Sequence, residues 1–313
     1  MQVPGVSIIL ATCNGALYLR EQLASLAEQT LLPNELIVGD DVSQDDTCRI
    51  LDDFAATSPF PVRMVRSAGN KLGACKNFVR LLEFVGGDYL MFCDQDDVWL
   101  PDKIHMTLSE MQRLEGAYGN DRPCLVYTDL KVVAKDGTEI APSFWRYQQM
   151  KPPVNHLQVL LAQNIVTGCT MMVNRAALKL VMPMPEQGPL MHDWWFALTV
   201  AAFGGHMSGL HSSTVLYRQH HHNDVGARAW WKLMLDRLGT NGEMIRRELG
   251  ATQKQAAALL QRYDVDISTA NRRVIQDYAQ LSAYSPFFRK FVLARHGIHK
   301  QAWYRTVSLY FYA

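Results

Sequence analysis

The sequence predicts an α/β protein: a single mixed, mostly parallel sheet flanked by helices, with a helical C-terminal tail. Three observations lead there. Short apolar, β-branched runs alternate with amphipathic segments through the first third of the chain. The four strand starts fall about 26 to 30 residues apart, the length of a right-handed βαβ unit. Polar and acidic clusters follow three of those strands, at the end where a parallel sheet gathers its ligands.

Val6 to Ala11 (VSIILA) reads as a buried strand that stops at the turn Thr12-Cys13-Asn14-Gly15. Leu19, Leu23 and Leu26 then recur at helical spacing, and Pro33-Asn34 closes the connection to a second strand, Leu36 to Gly39. Ser43 or Asp45 is placed to cap a helix whose apolar face holds Ile50, Leu51 and Phe54; Pro59 and Pro61 end it. A third strand, Val62 to Val65, leads through Gly69-Asn70 and Gly73 to a helix with Phe78, Leu81, Leu82 and Val85. The fourth strand is Tyr89 to Cys93, and Asp94-Gln95-Asp96-Asp97 follows it.

Beyond Asp97 the alternation loosens. A helix is expected from Pro101 to about Glu115, a strand pair from Cys124 to Ile140 turning at Asp136-Gly137, and a helix near Leu157. A strand from Cys169 to Val173, a helix starting near His192 and a strand from Thr214 to Tyr217 complete this half. From Ala229 onward the pattern is helical, most clearly over Ala251 to Tyr263. The chain divides into residues 1–227, which carry the acidic clusters where a ligand would sit, and a basic helical region, residues 228–313.

Composition sets the outer limits. With 313 residues, 48% hydrophobic content and a formal charge of +1, the chain is an ordinary globular protein, neither disordered nor a polybasic nucleic-acid binder. Its six cysteines contain no C-x-x-C pair, which argues against a zinc site or a disulfide scaffold and for reduced thiols in the cytoplasm. Val6 to Ala11 is too short, and lacks the preceding basic segment, for a signal peptide; Trp194 to Phe203 is too short to span a bilayer. Charge is unevenly spread: after residue 225 there are fourteen Lys and Arg against six Asp and Glu.

A dinucleotide-binding fold would need G-x-G-x-x-G after the first strand, so that backbone can approach a pyrophosphate; Thr12 to Ala16 holds one glycine. Carboxylates two apart at an irregular strand exit, as in Asp94-Gln95-Asp96, can instead face one hard cation such as Mg²⁺ or Mn²⁺. A surface acidic turn has the same sequence. The second acidic pair, Asp40-Asp41, lies beyond a neighbouring strand and favours the ligand reading.

Seven segments taken together, V-S-I-I-L-A-T-x-N-G (6–15), D-D-x-S (40–43), N-x-x-G-x-x-x-N-F (70–78), C-D-Q-D-D-V-W (93–99), T-G-C-T (167–170), H-D-W-W (192–195) and Y-R-Q-H (217–220), resemble the inverting family 2 glycosyltransferases of GT-A type. The D-Q-D-D-x-W and Y-R-Q-H forms look most like the bacterial rhamnosyltransferase-like branch. The likeness implies a nucleoside diphosphate sugar, dTDP-L-rhamnose in that branch, and an acceptor that is a glycan or lipid-linked glycan of bacterial surface polysaccharide such as O-antigen, at the inner face of the plasma membrane. It implies that Thr12, Asn14, Asp41, Asn70 and Lys76 bind the donor, and that Asp94 of the DXD motif lies near the ribose or sugar. Asp96 and His220 would hold Mg²⁺ or Mn²⁺, Asp193 would be the general base, and Trp194 and Trp195 would stack on a sugar.

Two positions depart from the pattern. Val42 stands where D-D-G-S is commoner, which puts a glycine-dependent turn in doubt, and Cys13, in a position often held by Tyr, reads as a buried structural thiol. From the residues alone, Asp193 reads first as the N-terminal acid of a helix, and the histidines after His220 read as a solvated loop. The aromatic and basic tail from Ser285 to Ala313 suits either an anionic membrane surface or packing, on the domain or across a dimer interface. A nucleotidyltransferase would want a basic glycine-rich loop that is missing. A noncatalytic sugar-nucleotide or glycan binding protein of this fold is the alternative, and loss of Asp96 or Asp193 would mark it; both are present.

Overall fold

A computed structural model describes residues 5–66, 69–220 and 242–313. The last two histidines of the His220 to His222 run, the helical reading from Ala229 to residue 241 and the boundary at 227 lie outside the described residues. Four parallel strands start the sheet: β1 (Val6–Thr12), β2 (Glu35–Asp40), β3 (Val62–Arg66) and β4 (Tyr89–Asp94). The rest are β5 (Val98–Trp99), β6 (Cys124–Ala134), β7 (Glu139–Ala141), β8 (Met172–Asn174) and β9 (His206–Gln219). Their order is β3-β2-β1-β4-β8-β6-β9-β5, with β7 beside β6. The β4·β8, β8·β6, β6·β7 and β9·β5 pairs are antiparallel, whereas β6 and β9 run parallel.

Both faces of the sheet are covered at β1, β2 and β4, which is why the centres of these strands are apolar runs rather than alternating. Along β1, Ile8 and Leu10 face one core and Ile9 and Ala11 the other. The first core is closed by α1 (Ala16–Ala27), α2 (Thr47–Ala55) and α4 (Lys103–Tyr118), through Leu19, Leu23, Leu26, Ile50, Leu51, Ile104 and Leu108. The expected leucine spacing in α1 is the buried face. Each fully buried leucine of this kind contributes about 1.5–3 kcal/mol.

The opposite core is larger. It takes side chains from α3 (Ala74–Leu81), α6 (Leu157–Ala162), α7 (Arg175–Val181) and α8 (His192–Ala202), with α5 (Phe144–Tyr147) at its rim. The C-terminal helices α9 (Gly242–Tyr263), α10 (Thr269–Ala279), α11 (Pro286–His296) and α12 (Trp303–Tyr312) join the same cluster through Leu249, Leu259, Tyr278, Leu293 and Leu309. The tail therefore packs on the sheet domain as a continuation of its core.

Three local readings change. The α2 helix starts at an Asp46 N-cap, and Asp45 instead accepts from the Thr47 amide at 3.0 Å. Residues 168–170 form a 3₁₀ turn before β8, fixed by the Thr170 amide donating to the Thr167 carbonyl at 2.9 Å. Strand β9 begins at His206, well before Thr214, because its polar first half is paired along β6 from Cys124 onward.

Candidate active site

The carboxyl ends of β1, β2 and β4 open into one cavity of about 570 Å³, which Thr12, Asp41, Asp94, Gln95 and Asp96 line on one side. Parallel pairing puts these ends level: Thr12 is opposite Asp40, and Ala11 opposite Asp94. Thr12 Oγ1 donates to Asp40 Oδ1 at 3.0 Å, leaving the next carboxylate, Asp41, to accept the Leu72 and Gly73 amides, each at 2.8 Å. Those bonds draw the loop before α3 over the cavity, where Lys71 becomes a lining cation.

The turn after β4 is stapled to the turn after β1. Gln95 Oε1 accepts from the Cys13 amide at 2.8 Å and its Nε2 donates back to the Cys13 carbonyl at 3.1 Å. A Cβ at Gly15 would lie 2.2 Å from Gln95 Oε1, so the staple needs a glycine there. Antiparallel pairing of β5 and β9 sets Val98 opposite Leu216 and carries the residues before β5 to the end of β9. There His220 Nε2 lies 2.8 Å from Asp96 Oδ2. Arg218 braces the pair: its Nε donates to the Asp96 carbonyl at 3.0 Å, its Nη2 pairs with Glu21 at 2.6 Å, and its guanidinium lies over the Tyr18 ring. The Tyr18 ring also stacks on His220 at 5.0 Å.

Asp96 lines the cavity and His220 is bonded to it, so a carboxylate and an imidazole would be available together to hold Mg²⁺ or Mn²⁺ there. Asp94, Asp97 and Cys169 form a second cluster, their ligand atoms within 4.8 Å of one another. It fits such an ion less well, because Asp97 and Cys169 are buried and a thiol is a poor ligand for a hard cation. Burial, with Asp96 adding to it, pushes the Asp97 carboxyl up, and burial pushes the Lys103 ammonium beneath it down.

Asp193 faces the cavity from the first turn of α8. Its Oδ1 accepts from Asn164 Nδ2 at 3.1 Å and from the Trp194 amide at 2.6 Å; its Oδ2 accepts from the Gly168 amide at 2.9 Å. Burial raises its pKa to about 6, against the pull of these bonds. The carboxylate thus stays ionised at neutral pH with a proton affinity above that of an ordinary aspartate. Its neighbour His192 is stacked between Phe78 and Phe92, and burial holds the imidazole neutral with a pKa of about 3.

Residues 7–179 match the family model Glycosyl transferase family 2. The chain belongs to that family. It is a glycosyltransferase. A dTDP-rhamnosyl transferase, RfbG of Shigella flexneri, is 29% identical over 242 residues, 74% of this chain and 78% of that one. Rv1520 of Mycobacterium tuberculosis, an uncharacterised protein, is 28% identical over 224 residues; the match takes in 69% of this chain and 59% of its length. Among solved structures, residues 1-349 of S. aureus TarS in complex with UDP-GlcNAc superpose with a TM-score of 0.55 at 16% identity, over 94% of this chain and 88% of that fragment. The fold is that of the GT-A glycosyltransferases.

Within this family 2 transferase, the cavity gathers Thr12, Asp41, Asp94, Asp96 and Asp193, and His220 joins it through Asp96. Five expected binding residues do not line this cavity. Trp195 is fully buried in the core under α8, so no sugar can stack on it. Trp194 turns away from the main cavity, donates its Nε1 to the Leu160 carbonyl at 2.6 Å and lines a smaller cavity of about 340 Å³. Lys76 is exposed on α3 and does not line the main cavity, whereas Lys71 does. Asn14 is exposed and its Oδ1 accepts from the Gln44 amide at 2.7 Å, which ties two loops together. Asn70 is exposed beside the lining residue Lys71.

Cys13 is half-buried at the cavity wall and is not part of the core. Val42 adopts φ 59, so the turn after β2 keeps a left-handed residue although its side chain is β-branched. Several wall residues carry no local sequence signal: Asn164, which together with Gly168 of the T-G-C-T segment holds Asp193, and Gln148 and Arg305. Arg305 comes from α12, is buried, and donates to Gln148 Oε1 at 2.6 Å across the wall.

Proposed function

We propose that this protein transfers a sugar, with inversion at its anomeric carbon, from a nucleoside diphosphate donor to a hydroxyl of a glycan or lipid-linked glycan during bacterial surface polysaccharide assembly. The similarity to a dTDP-rhamnosyl transferase supports dTDP-L-rhamnose as the donor. The observation that carries the reading is the buried Asp193 carboxylate, held by three hydrogen bonds in the cavity that also contains the Asp94-Gln95-Asp96 turn.

The residues divide the work. Thr12 and Asp41 would take the base and ribose, and Asp94 the ribose or sugar; all three line the cavity that Asp193 also faces. Asp193 takes the proton of the acceptor hydroxyl as its oxygen bonds to the anomeric carbon, and the bond from that carbon to the diphosphate breaks on the opposite face. Fixing the carboxylate by Asn164 and Gly168 holds one oxygen geometry for that transfer. Asp96 and His220 would hold Mg²⁺ or Mn²⁺, which when bound supplies Lewis-acid neutralisation of the diphosphate charge. Lys71 adds a cation at the same wall.

A panel of nucleotide sugars with Mg²⁺ or Mn²⁺, read by thermal shift and by release of nucleoside diphosphate, tests the proposal. The expected result is stabilisation and slow donor hydrolysis with dTDP-L-rhamnose. Response to another nucleotide sugar would replace the donor; response to none would overturn the function.

A further inference from the structure

The last two helices expose an apolar face. On α12, Trp303, Val307 and Phe311 recur at i, i+4 and i+8 and are 65%, 53% and 72% exposed, while Tyr304, Ser308 and Leu309 on the other side are buried. On α11, Phe287, Phe288 and Phe291 are exposed, the latter two stacked at 5.6 Å, and Val292 and Leu293 face the core. Arg289 Nη1 donates to the Ala313 carbonyl at 2.9 Å, which brings the Phe311 end of α12 to the first turn of α11. The C-terminal turn of α12 and the first turn of α11, each carrying exposed rings, are thus neighbours. Lys290 and Arg295 are exposed on α11, and no Asp or Glu follows Asp277 in the chain.

We propose that this face docks the protein on an anionic lipid bilayer, with the rings at headgroup level and Lys290 and Arg295 against the headgroups. Large exposed aromatic clusters mark interaction surfaces, and aromatic rings settle at the boundary between hydrocarbon and water. Charge selects the occupant. A second copy meeting this face by two-fold symmetry would oppose basic groups to basic groups with no acid on either helix to pair them, whereas anionic headgroups complement them. Docking on this face is independent of the donor chemistry, so it stands or falls apart from the transferase reading.

The test is flotation of the full-length protein with phosphatidylglycerol/phosphatidylcholine vesicles and with phosphatidylcholine vesicles alone. Because α11 and α12 contribute core residues, surface variants replace truncation: Phe287→Ser/Trp303→Ser/Phe311→Ser, and separately Lys290→Glu/Arg295→Glu. Wild type is expected to float with the anionic vesicles and to lose at least about tenfold in binding as salt is raised past the screening range. Each variant should lose at least about tenfold while its thermal midpoint and its dTDP-rhamnose thermal shift stay those of wild type. The proposal is overturned by wild type that stays soluble with anionic vesicles at low salt, by variants that float equally, or by a wild-type dimer that the triple variant converts to a monomer.

Discussion

Asp96 and His220 lie 124 residues apart in the chain and meet at 2.8 Å. The register of β5 on β9, Val98 opposite Leu216, accounts for the meeting, and Arg218 locks it by binding the Asp96 carbonyl and resting on Tyr18. Each residue is carried there by the strand beside it, β5 after Asp96 and β9 before His220.

The pair sets the first expectation. Asp96→Ala should reduce transfer by more than about a hundredfold and weaken donor binding, and His220→Ala should reproduce the loss of donor binding in part. EDTA should inhibit wild type, with recovery on adding Mg²⁺ or Mn²⁺. Full activity in EDTA contradicts the assignment.

Asp193 predicts a pH profile. With its pKa raised to about 6 by burial, the base is protonated below that value, so the transfer rate should rise about tenfold per pH unit up to pH 6 and level off above it. Asp193→Asn should remove most of the rate, by about a hundredfold or more, and the acidic limb with it. The same shift acts on stability: the group's contribution is fully present below pH 3.8 and is lost as pH rises through about 6. Thermal unfolding of wild type and Asp193→Asn between pH 4 and 8 reads this difference directly.

Gly168 should tolerate no side chain. An added Cβ would lie 2.8 Å from His192 Nε2, and that ring is pinned between Phe78 and Phe92. Gly168→Ala is expected to displace the amide that holds Asp193 Oδ2, costing at least about tenfold in turnover and about 1–3 kcal/mol in stability. Unchanged kinetics and midpoint would show that the loop yields.

Val42 offers a gain. At φ 59 a β-branched side chain is strained by about 1–2 kcal/mol, and glycine removes that strain at a cost of about 0.5–1 kcal/mol in chain entropy. Val42→Gly should therefore leave stability level or raise it by about 1 kcal/mol, measured by urea unfolding. A clear loss would mean that packing of the valine outweighs the backbone.

The sequence made the β1 to β4 half legible because each βαβ unit is local: β-branched runs, leucines at helical spacing and a polar turn all fall within one unit. The acidic turns after β2 and β4 were visible for the same reason. Asn164, Gln148 and Arg305 were not, since each enters the wall by tertiary approach from a segment with no periodicity pointing to a site, and Gly168, though inside the T-G-C-T segment, shows its hold on Asp193 only in the fold. Trp195 shows the reverse failure: an aromatic beside the proposed base has the same sequence signature in a core as on a sugar platform, and only the facing of α8 separates them. Val42 shows that an expected glycine can be absent while the turn it serves persists.

The α12 helix ties the cavity wall to distant parts of the chain. The Gln301 amide donates to Gln163 Oε1 at 2.7 Å, Arg305 reaches Gln148, and Ala313 is buried and its carbonyl accepts from Arg289. Part of the reaction chamber is thus closed by contacts 138 and 157 residues apart in sequence, which the local βαβ units can form without. Local opening of α12 would leave the β1, β2 and β4 side of the chamber intact and remove its far wall, so transfer would be lost before the fold is.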